Sequence, residues 1–160
     1  MERRSTLLLK IALFILAAPV LIFCIAMVPV IVKNIAEGLA GVDYAILGLV
    51  VIIYITAVPY YIALFQAWKL LSYIDANNAF SEQSVTALRI IKRSAIIISA
   101  LYILALPLFF IFAEYDDAPG LIIIGLLLVF AAGVIAVFAA VLVRLLRQAI
   151  DIKTENDLTI

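Results

Sequence analysis

The sequence lacks histidine altogether and contains a single cysteine, Cys24, among its 160 residues. Without histidine, the usual zinc sites and the commonest general base of enzymes are excluded. One cysteine excludes an internal disulfide bond, and no glycine-rich phosphate loop is present. The sequence therefore predicts a protein that is not an enzyme, with no catalytic residues, no cofactor and no dedicated metal site.

Charge is also scarce, since 14% of the residues are charged and 68% are apolar. A soluble domain of this length cannot bury so much apolar surface in one core, so the surroundings must be a lipid bilayer. A helix needs about 20 apolar residues to cross the hydrocarbon of a bilayer. Four stretches of this length contain no Asp, Glu, Lys or Arg: Ile11–Val32, Tyr44–Trp68, Ser94–Ala113 and Pro119–Val143.

These runs predict an all-α integral membrane protein, a bundle of four transmembrane helices that forms one domain over residues 1–160. Strands are excluded because the strands of membrane barrels alternate over about ten residues. The first run exceeds the apolar region of a cleaved signal, about 7 to 15 residues, so it is expected to remain as a span. Four prolines lie inside the first three runs, where neighbouring groups can satisfy the carbonyls that proline leaves free: Pro19, Pro29, Pro59 and Pro107.

Lysine and arginine are distributed unevenly between the two sides of the predicted membrane helices. Ten of the 11 basic residues precede the first run, separate the second from the third or follow the fourth, and only Lys33 lies on the other side. Because basic loops stay in the cytoplasm, both termini, the loop 69–93 and the tail 144–160 are expected there. The outer side is expected to be acidic, with Glu37, Asp43, Glu114, Asp116 and Asp117. The cluster of Glu114, Asp116 and Asp117 is expected to form a solvated turn, and loose binding of a divalent cation through its oxygens is the less favoured interpretation.

The loop 69–93 is the longest polar segment between two apolar runs. Its first residues, Lys69–Ile74, are expected to continue the second helix. Ser81 is placed to cap a new helix that leads directly into the third span, with Glu82 in the first turn. The sequence thus predicts helical extensions on the cytoplasmic side of the membrane.

The new helix is amphipathic, because its apolar residues share one side while its basic residues share another. The tail extends the fourth helix, with Arg147 and Asp151 spaced as a supporting pair, and is expected to fray beyond Thr154. The basic residues of both segments form a predicted basic face, which suits contact with anionic lipid or with a cytoplasmic protein. The residues of this face are Arg89, Lys92, Arg93, Arg144 and Arg147.

Small residues recur along one face of the fourth span, where they let helix backbones approach closely. They predict a groove that suits packing against another helix of the same chain and also suits a homo-oligomer interface. The groove residues are Gly125, Ala132, Gly133, Ala136 and Ala140. None of the four spans contains an ionisable Asp, Glu, Lys or Arg. Because transport pathways generally carry such residues at depth, a transport role is the less favoured interpretation.

Two polar segments, "KLLSYIDANNAFSEQSVTALRIIK" (69–92) and "AIDIKTENDLTI" (149–160), carry a resemblance to a known family. The chain resembles the small bacterial four-span membrane proteins classed as domain of unknown function 2975 (DUF2975). The resemblance implies a protein of the bacterial cytoplasmic membrane, often encoded beside a small helix-turn-helix transcriptional regulator. It implies no established activity and supplies no catalytic residues.

We therefore expect a non-enzymatic binding, regulatory or accessory protein that acts through its cytoplasmic loop and tail. Its expected partners are membrane lipid and a cytoplasmic protein, with the transcriptional regulator as a candidate, and no direct contact with nucleic acid. The alternative is an oligomeric small-solute transporter or channel component.

The distribution of basic residues generates a topology test. In a Cys24→Ala background, a cysteine placed at Ala118 should react with an impermeant thiol reagent from outside the cell, and one placed at Asn78 only from the cytoplasm. Labelling of the Asn78 position from outside, or of the Ala118 position from the cytoplasm, would reverse the orientation.

Overall fold

Four long helices account for nearly all of the described chain. A computed structural model describes residues 3–37, 42–115 and 117–158. The helices are α1 (Arg3–Glu37), α2 (Val42–Asp75), α3 (Glu82–Tyr115) and α4 (Gly120–Leu158), and no strand occurs in the described ranges. All four are long and apolar enough to cross a membrane. The predicted all-α fold of four membrane helices is confirmed, whereas the exact span limits stay a prediction.

The helices are longer than a bilayer requires. They contain 34 to 39 residues, which at about 1.5 Å per residue gives lengths of roughly 51 to 58 Å. The hydrocarbon core of a bilayer is about 30 Å thick, so each helix extends beyond it. The predicted helical extensions are therefore present.

Two helix limits differ from the sequence-based expectations. α4 continues through Leu158 and does not fray at Thr154, whose hydroxyl donates a hydrogen bond to the Ile150 carbonyl at 2.9 Å. This bond to the preceding turn satisfies the polar side chain inside the helix. α4 also begins at Gly120, one residue after Pro119, whose carbonyl accepts from the Ile122 amide at 3.3 Å.

The helices pack in chain order. α2 lies against α3 and α3 against α4 over extensive contacts, whereas α1 contacts α2 more sparsely. In the part of the chain that the structure describes, the α1 backbone makes no close approach to α3 or α4. The bundle is therefore incompletely closed, with α1 and α4 at its two free sides.

The connection between α2 and α3 is short and closed by hydrogen bonds at its start. The Asn78 amide donates to the Tyr73 carbonyl at 2.8 Å, and the Asn77 amide donates to the Ile74 carbonyl at 3.1 Å. Asn77 has φ of 57°, the left-handed conformation that this type of helix end needs and that asparagine tolerates. The polar sequence after Asp75 thus ends α2 with a defined turn.

The same connection is fixed at its other end by Ser81. Its hydroxyl oxygen accepts the Ser84 amide at 3.3 Å, as a helix cap should, and its hydroxyl donates to the Asn78 carbonyl at 2.9 Å. Glu82 lies in the first turn, where its charge favours the positive end of the helix. The predicted cap is confirmed, and it ties the loop to the start of α3.

The tightest burial occurs along α3, the helix with neighbours on two sides. Its buried residues are mostly small, and six of the eight lie in its first half: Ser84, Val85, Ala87, Leu88, Ser94 and Ala95, with Ala105 and Ala113 in the second half. On α4, Gly125 lies so close to α3 that an added Cβ would be 3.0 Å from Phe109 Cδ2 and 3.1 Å from Leu106 Cδ2. Small side chains thus set the spacing of the α3–α4 pair.

Two glycines of α4 should respond differently to the same substitution. Gly125→Leu should overpack the α3 interface and cost on the order of 1–3 kcal/mol of unfolding free energy. Gly133→Leu should be nearly neutral, because a Cβ there would have only the Ser99 hydroxyl oxygen nearby, at 3.9 Å. Unfolding followed by circular dichroism in mixed detergent measures both variants, and an equal cost would contradict this packing.

Candidate functional site

The charged ends of the helices gather at one end of the molecule. Lys10 near the start of α1 pairs with Asp75 at the end of α2, and Glu82 at the start of α3 pairs with Arg147 in α4. These contacts place the start of α1, the α2–α3 connection and the last part of α4 side by side. We call this the basic end of the molecule.

Asp75 is the centre of a polar cluster between α1 and α2. Its Oδ2 atom lies 3.1 Å from Lys10 Nζ, and its Oδ1 atom accepts a hydrogen bond from the Thr6 hydroxyl. Lys10 Nζ also lies 4.9 Å from the centre of the Trp68 ring, which meets Phe14 edge to face at 5.3 Å. Charge, hydroxyl and aromatic contacts therefore join the two helices at the basic end.

Sequence reasoning missed this cluster. Lys10 was counted only as a determinant of orientation, and Asp75 only as part of a family motif. A signal was present, since Asp75 is the sole acidic residue between Tyr44 and Ser81 and follows a long apolar run. An acidic side chain at such a position is stabilised by a basic partner on a neighbouring helix.

Three tyrosine hydroxyls of α2 donate to backbone carbonyls of α1. Tyr60 bonds to Leu16 and Tyr61 to Ala17, the latter at 2.7 Å, and Tyr54 bonds to the carbonyl of Cys24. The Leu16 and Ala17 carbonyls lie in the turn before Pro19, whose missing amide leaves the Ile15 carbonyl of that turn without its usual donor. These bonds supplement the sparse packing of α1.

The structure places the residues of the predicted basic face on adjacent helices but gives them different surroundings. Arg89, Arg93 and Arg144 are exposed, and Lys92 is half-buried. Arg147 forms a salt bridge with Glu82, not the expected pair with Asp151 in its own helix. Its charge is therefore partly neutralised. Whether the face binds a partner stays a prediction.

The apolar side of the amphipathic segment packs inside the protein. Ser84, Val85, Ala87 and Leu88 are at most 7% exposed, although they precede the third charge-free run. The segment is thus an integral part of the helix bundle. Its buried side holds the opposite, basic side in a fixed orientation.

The predicted small-residue groove of α4 is divided between two environments. Gly125, Ala132 and Ala136 are buried, together with Ala139, which was not predicted. Gly133 and Ala140 are half-buried, and Gly133 lies in a separate surface groove. The groove residues therefore serve packing within the chain and also border an open surface.

An apolar cavity of about 550 Å³ lies among all four helices. Its walls include Pro19 of α1, Ala63 of α2, Ala95 of α3 and Ala132 of α4. The polar groups of its lining are hydroxyls, such as that of Thr56, which lies 3.4 Å from the Tyr102 hydroxyl. No ionisable Asp, Glu, Lys or Arg lines it within the described residues, so the cavity suits an apolar occupant.

A second groove, of about 540 Å³, lies on the outer surface between α3 and α4. It is lined by Ser99 of α3 and by α4 residues from Val129 to Val141. The Ser99 hydroxyl donates to the Val129 carbonyl at 3.3 Å, so little polar capacity faces the groove. This surface, like the cavity, is almost entirely apolar.

At the other end of the molecule, Asp117 adopts a left-handed conformation with φ of 52° and closes the end of α3. The Ala118 amide donates to the Ala113 carbonyl at 2.9 Å in the same turn. Asp116, a member of the predicted acidic turn, lies outside the described residues, as does the side chain of Asp43. No cluster of three or more potential metal ligands occurs among the described residues.

Comparison with known proteins identifies one family and one close relative. A family described as a protein of unknown function, DUF2975, matches residues 11–160. The "Uncharacterized membrane protein YoaS" of Bacillus subtilis (strain 168) is 52% identical over 160 residues, which is the full length of both chains. No solved structure matches the chain. The relative's description agrees with the multi-pass membrane architecture.

The Asp75 cluster should hold α1 in place. Asp75→Ala removes the acceptor of the buried Thr6 hydroxyl and the charge facing Lys10, and should cost about 1–3 kcal/mol of unfolding free energy. Asp75→Asn keeps an acceptor for Thr6 and should cost less. The measurement is chemical unfolding in mixed detergent, together with amide exchange of α1 in lipid nanodiscs.

Asp151→Ala is the matched control for Asp75→Ala, because Asp151 is exposed on α4. It should change neither stability nor exchange. Unchanged amide exchange of α1 in Asp75→Ala would contradict this role and show that the other α1–α2 contacts are enough to hold α1 in place.

Proposed function

We propose a binding function for this chain, which belongs to the DUF2975 family. It is a small multi-pass membrane protein that works without catalysis and presents its basic end to the cytoplasm. There it holds an acidic patch on a cytoplasmic protein, whose availability or activity it regulates. Both termini lie in the cytoplasm in this proposal, as the distribution of lysine and arginine predicts.

The observation that carries the proposal is the exposure of arginines on a rigidly mounted helix. Arg89 and Arg93 are exposed one turn apart on α3, while the opposite side of the same segment is buried. Ser81 caps this helix and the Glu82–Arg147 salt bridge ties it to α4. A surface that is already ordered loses less conformational entropy on binding than a flexible one.

The chemistry of this surface favours an acidic partner. Among the described residues, Arg89, Arg93 and Arg144 form no salt bridge, so their charges are available to another molecule. Complementary charge accelerates encounter and excludes partners of like charge. The helix-turn-helix regulator implied by the family resemblance is the candidate partner, and anionic lipid competes for the same positive surface.

The alternative, an oligomeric small-solute transporter or channel component, has one supporting observation. The cavity of about 550 Å³ is lined by residues of all four helices, as a substrate site in a small transporter would be. Its apolar walls favour an apolar solute. Solute flux in proteoliposomes would support this alternative over the binding function.

The binding function predicts that charge reversal on α3 abolishes recruitment of the partner. The full chain is placed in vesicles and the co-expressed regulator is measured by co-sedimentation. Arg89→Glu should lower recruitment at least about tenfold, because repulsion replaces attraction at a desolvated contact. Helix content and membrane insertion should stay unchanged, since Arg89 is exposed.

Lys153→Glu is the control, because it makes the same charge change at an exposed position on the far part of α4. It should leave recruitment unchanged. If both variants lost recruitment equally, recruitment would depend on net charge alone. Full recruitment by Arg89→Glu would place the working site elsewhere, and flux through the membrane would then become the leading function.

A further inference from the structure

The cavity among the four helices lies where α1 and α4 face each other without meeting. On each of these two helices its lining residues are spaced three or four apart, so they share one side of the helix. They are Leu16, Pro19, Val20 and Phe23 of α1, and Leu128, Ala132 and Ile135 of α4. Within the described residues the α1 backbone makes no close approach to α3 or α4. A molecule dissolved in the bilayer can therefore enter the cavity between α1 and α4.

One hydroxyl of the cavity lining is poorly satisfied. The Thr56 hydroxyl donates to the Ile53 carbonyl at 2.9 Å, and the Tyr60 hydroxyl donates to the Leu16 carbonyl. In the described part of the chain, the Tyr102 hydroxyl has only the Thr56 oxygen as a partner, at 3.4 Å. Hydrogen bonds between oxygen atoms are normally about 2.5 to 3.0 Å long. The contact is therefore weak, and the Tyr102 hydroxyl hydrogen is available to a better acceptor.

The Tyr102 hydroxyl lies near the middle of the membrane. Its neighbour Thr56 is the central residue of the charge-free run Tyr44–Trp68, and Tyr102 is close to the middle of the run Ser94–Ala113. The bilayer core offers no water to complete a hydrogen bond at this depth, so a weakly paired hydroxyl is costly. A ligand that brings an acceptor to Tyr102 removes that cost.

The surroundings of Tyr102 limit the class of ligand. Among the described residues no Asp, Glu, Lys or Arg lines the cavity, so a charged ligand would have no counter-charge where charge is most expensive. The polar parts of phospholipids lie at the bilayer surface, about 15 Å from its middle. A phospholipid therefore cannot place an acceptor at Tyr102, and a plain hydrocarbon has none. A neutral apolar molecule with a carbonyl oxygen meets both requirements.

We propose that the cavity binds a neutral, lipid-soluble carbonyl compound. The apolar body of the ligand lies against the apolar walls, and its carbonyl oxygen accepts a hydrogen bond from the Tyr102 hydroxyl. The cavity volume of about 550 Å³ is within the range of small-molecule sites, roughly 300 to 1,000 Å³. Tyr102 lies about 20 Å along α3 from Arg89. Arg89→Glu should therefore bind the ligand normally, and this site and the recruitment of a partner can fail separately.

The test compares two probes of equal chain length in lipid nanodiscs that contain the full chain. Dihexyl ketone has a carbonyl at its centre, and tridecane has no acceptor. Each probe is titrated at equal mole fraction in the lipid, and binding is measured as the rise in melting temperature. Dihexyl ketone should bind about fivefold more tightly than tridecane, as expected from one added hydrogen bond.

The infrared carbonyl stretch of isotope-labelled dihexyl ketone gives a second measurement. A hydrogen bond lowers the stretching frequency, and the label separates the probe from the lipid esters. The wild-type protein should add a low-frequency band to the spectrum of the probe in protein-free nanodiscs. Tyr102→Phe should remove this band and reduce ketone binding to the level of tridecane.

Two matched variants accompany Tyr102→Phe. Tyr115→Phe removes the same hydroxyl group at an exposed position outside the cavity and should change neither ketone binding nor the low-frequency band. Ala57→Leu fills the cavity beside Thr56 and should weaken the binding of both probes. The melting temperature without probe shows that each variant is folded.

Three outcomes would overturn the site. Equal binding of dihexyl ketone and tridecane to the wild-type protein would show that any hydrocarbon fills the cavity without selection. A low-frequency band that persists in Tyr102→Phe would place the hydrogen bond elsewhere. Unchanged binding of both probes in Ala57→Leu would place them on the outer surface of the bundle.

Discussion

A bilayer interior offers no water to the backbone, and apolar surfaces gain little by leaving lipid for each other. The first constraint forces every spanning segment into a helix. The second leaves helix association to close packing and to the few polar groups available. In this chain, close packing and polar contacts hold different sides of the bundle. This difference determines the shape of the bundle.

α3 and α4 rely on close packing. Gly125 lets Phe109 and Leu106 approach the α4 backbone, and small buried residues line α3. α1 relies on polar contacts, because tyrosine hydroxyls reach its carbonyls near Pro19 and Asp75 binds Thr6 and Lys10. A helix held mainly by discrete polar contacts can leave the bundle open on one side. The cavity among the four helices lies beside α1.

Composition alone predicted the four helices, since charge-free runs of 20 or more residues have one stable form in lipid. The cap at Ser81 was also predictable, because it depends on residues three positions apart in the chain. The partners of Asp75 and Arg147 were not. Arg147 has Asp151 one turn away but pairs with Glu82, 65 positions earlier. That choice depends on how α3 and α4 rotate against each other, which the local spacing of residues does not specify. The sequence predicted which residues form the basic face. It did not predict which of them are exposed, half-buried or paired, because that depends on the same rotation of the helices.

The buried side of the amphipathic segment fixes the direction in which its basic residues point. Arg89, Lys92 and Arg93 lie within about one turn of α3, where Arg89 and Arg93 are exposed and Lys92 is half-buried. Charges this close act together, because their potentials add. Under the proposed binding function, anionic lipid and an acidic protein therefore compete for one set of charges, and by linkage each weakens the binding of the other by the same factor. The lipid composition of the leaflet would then set the affinity for the partner without any change of fold.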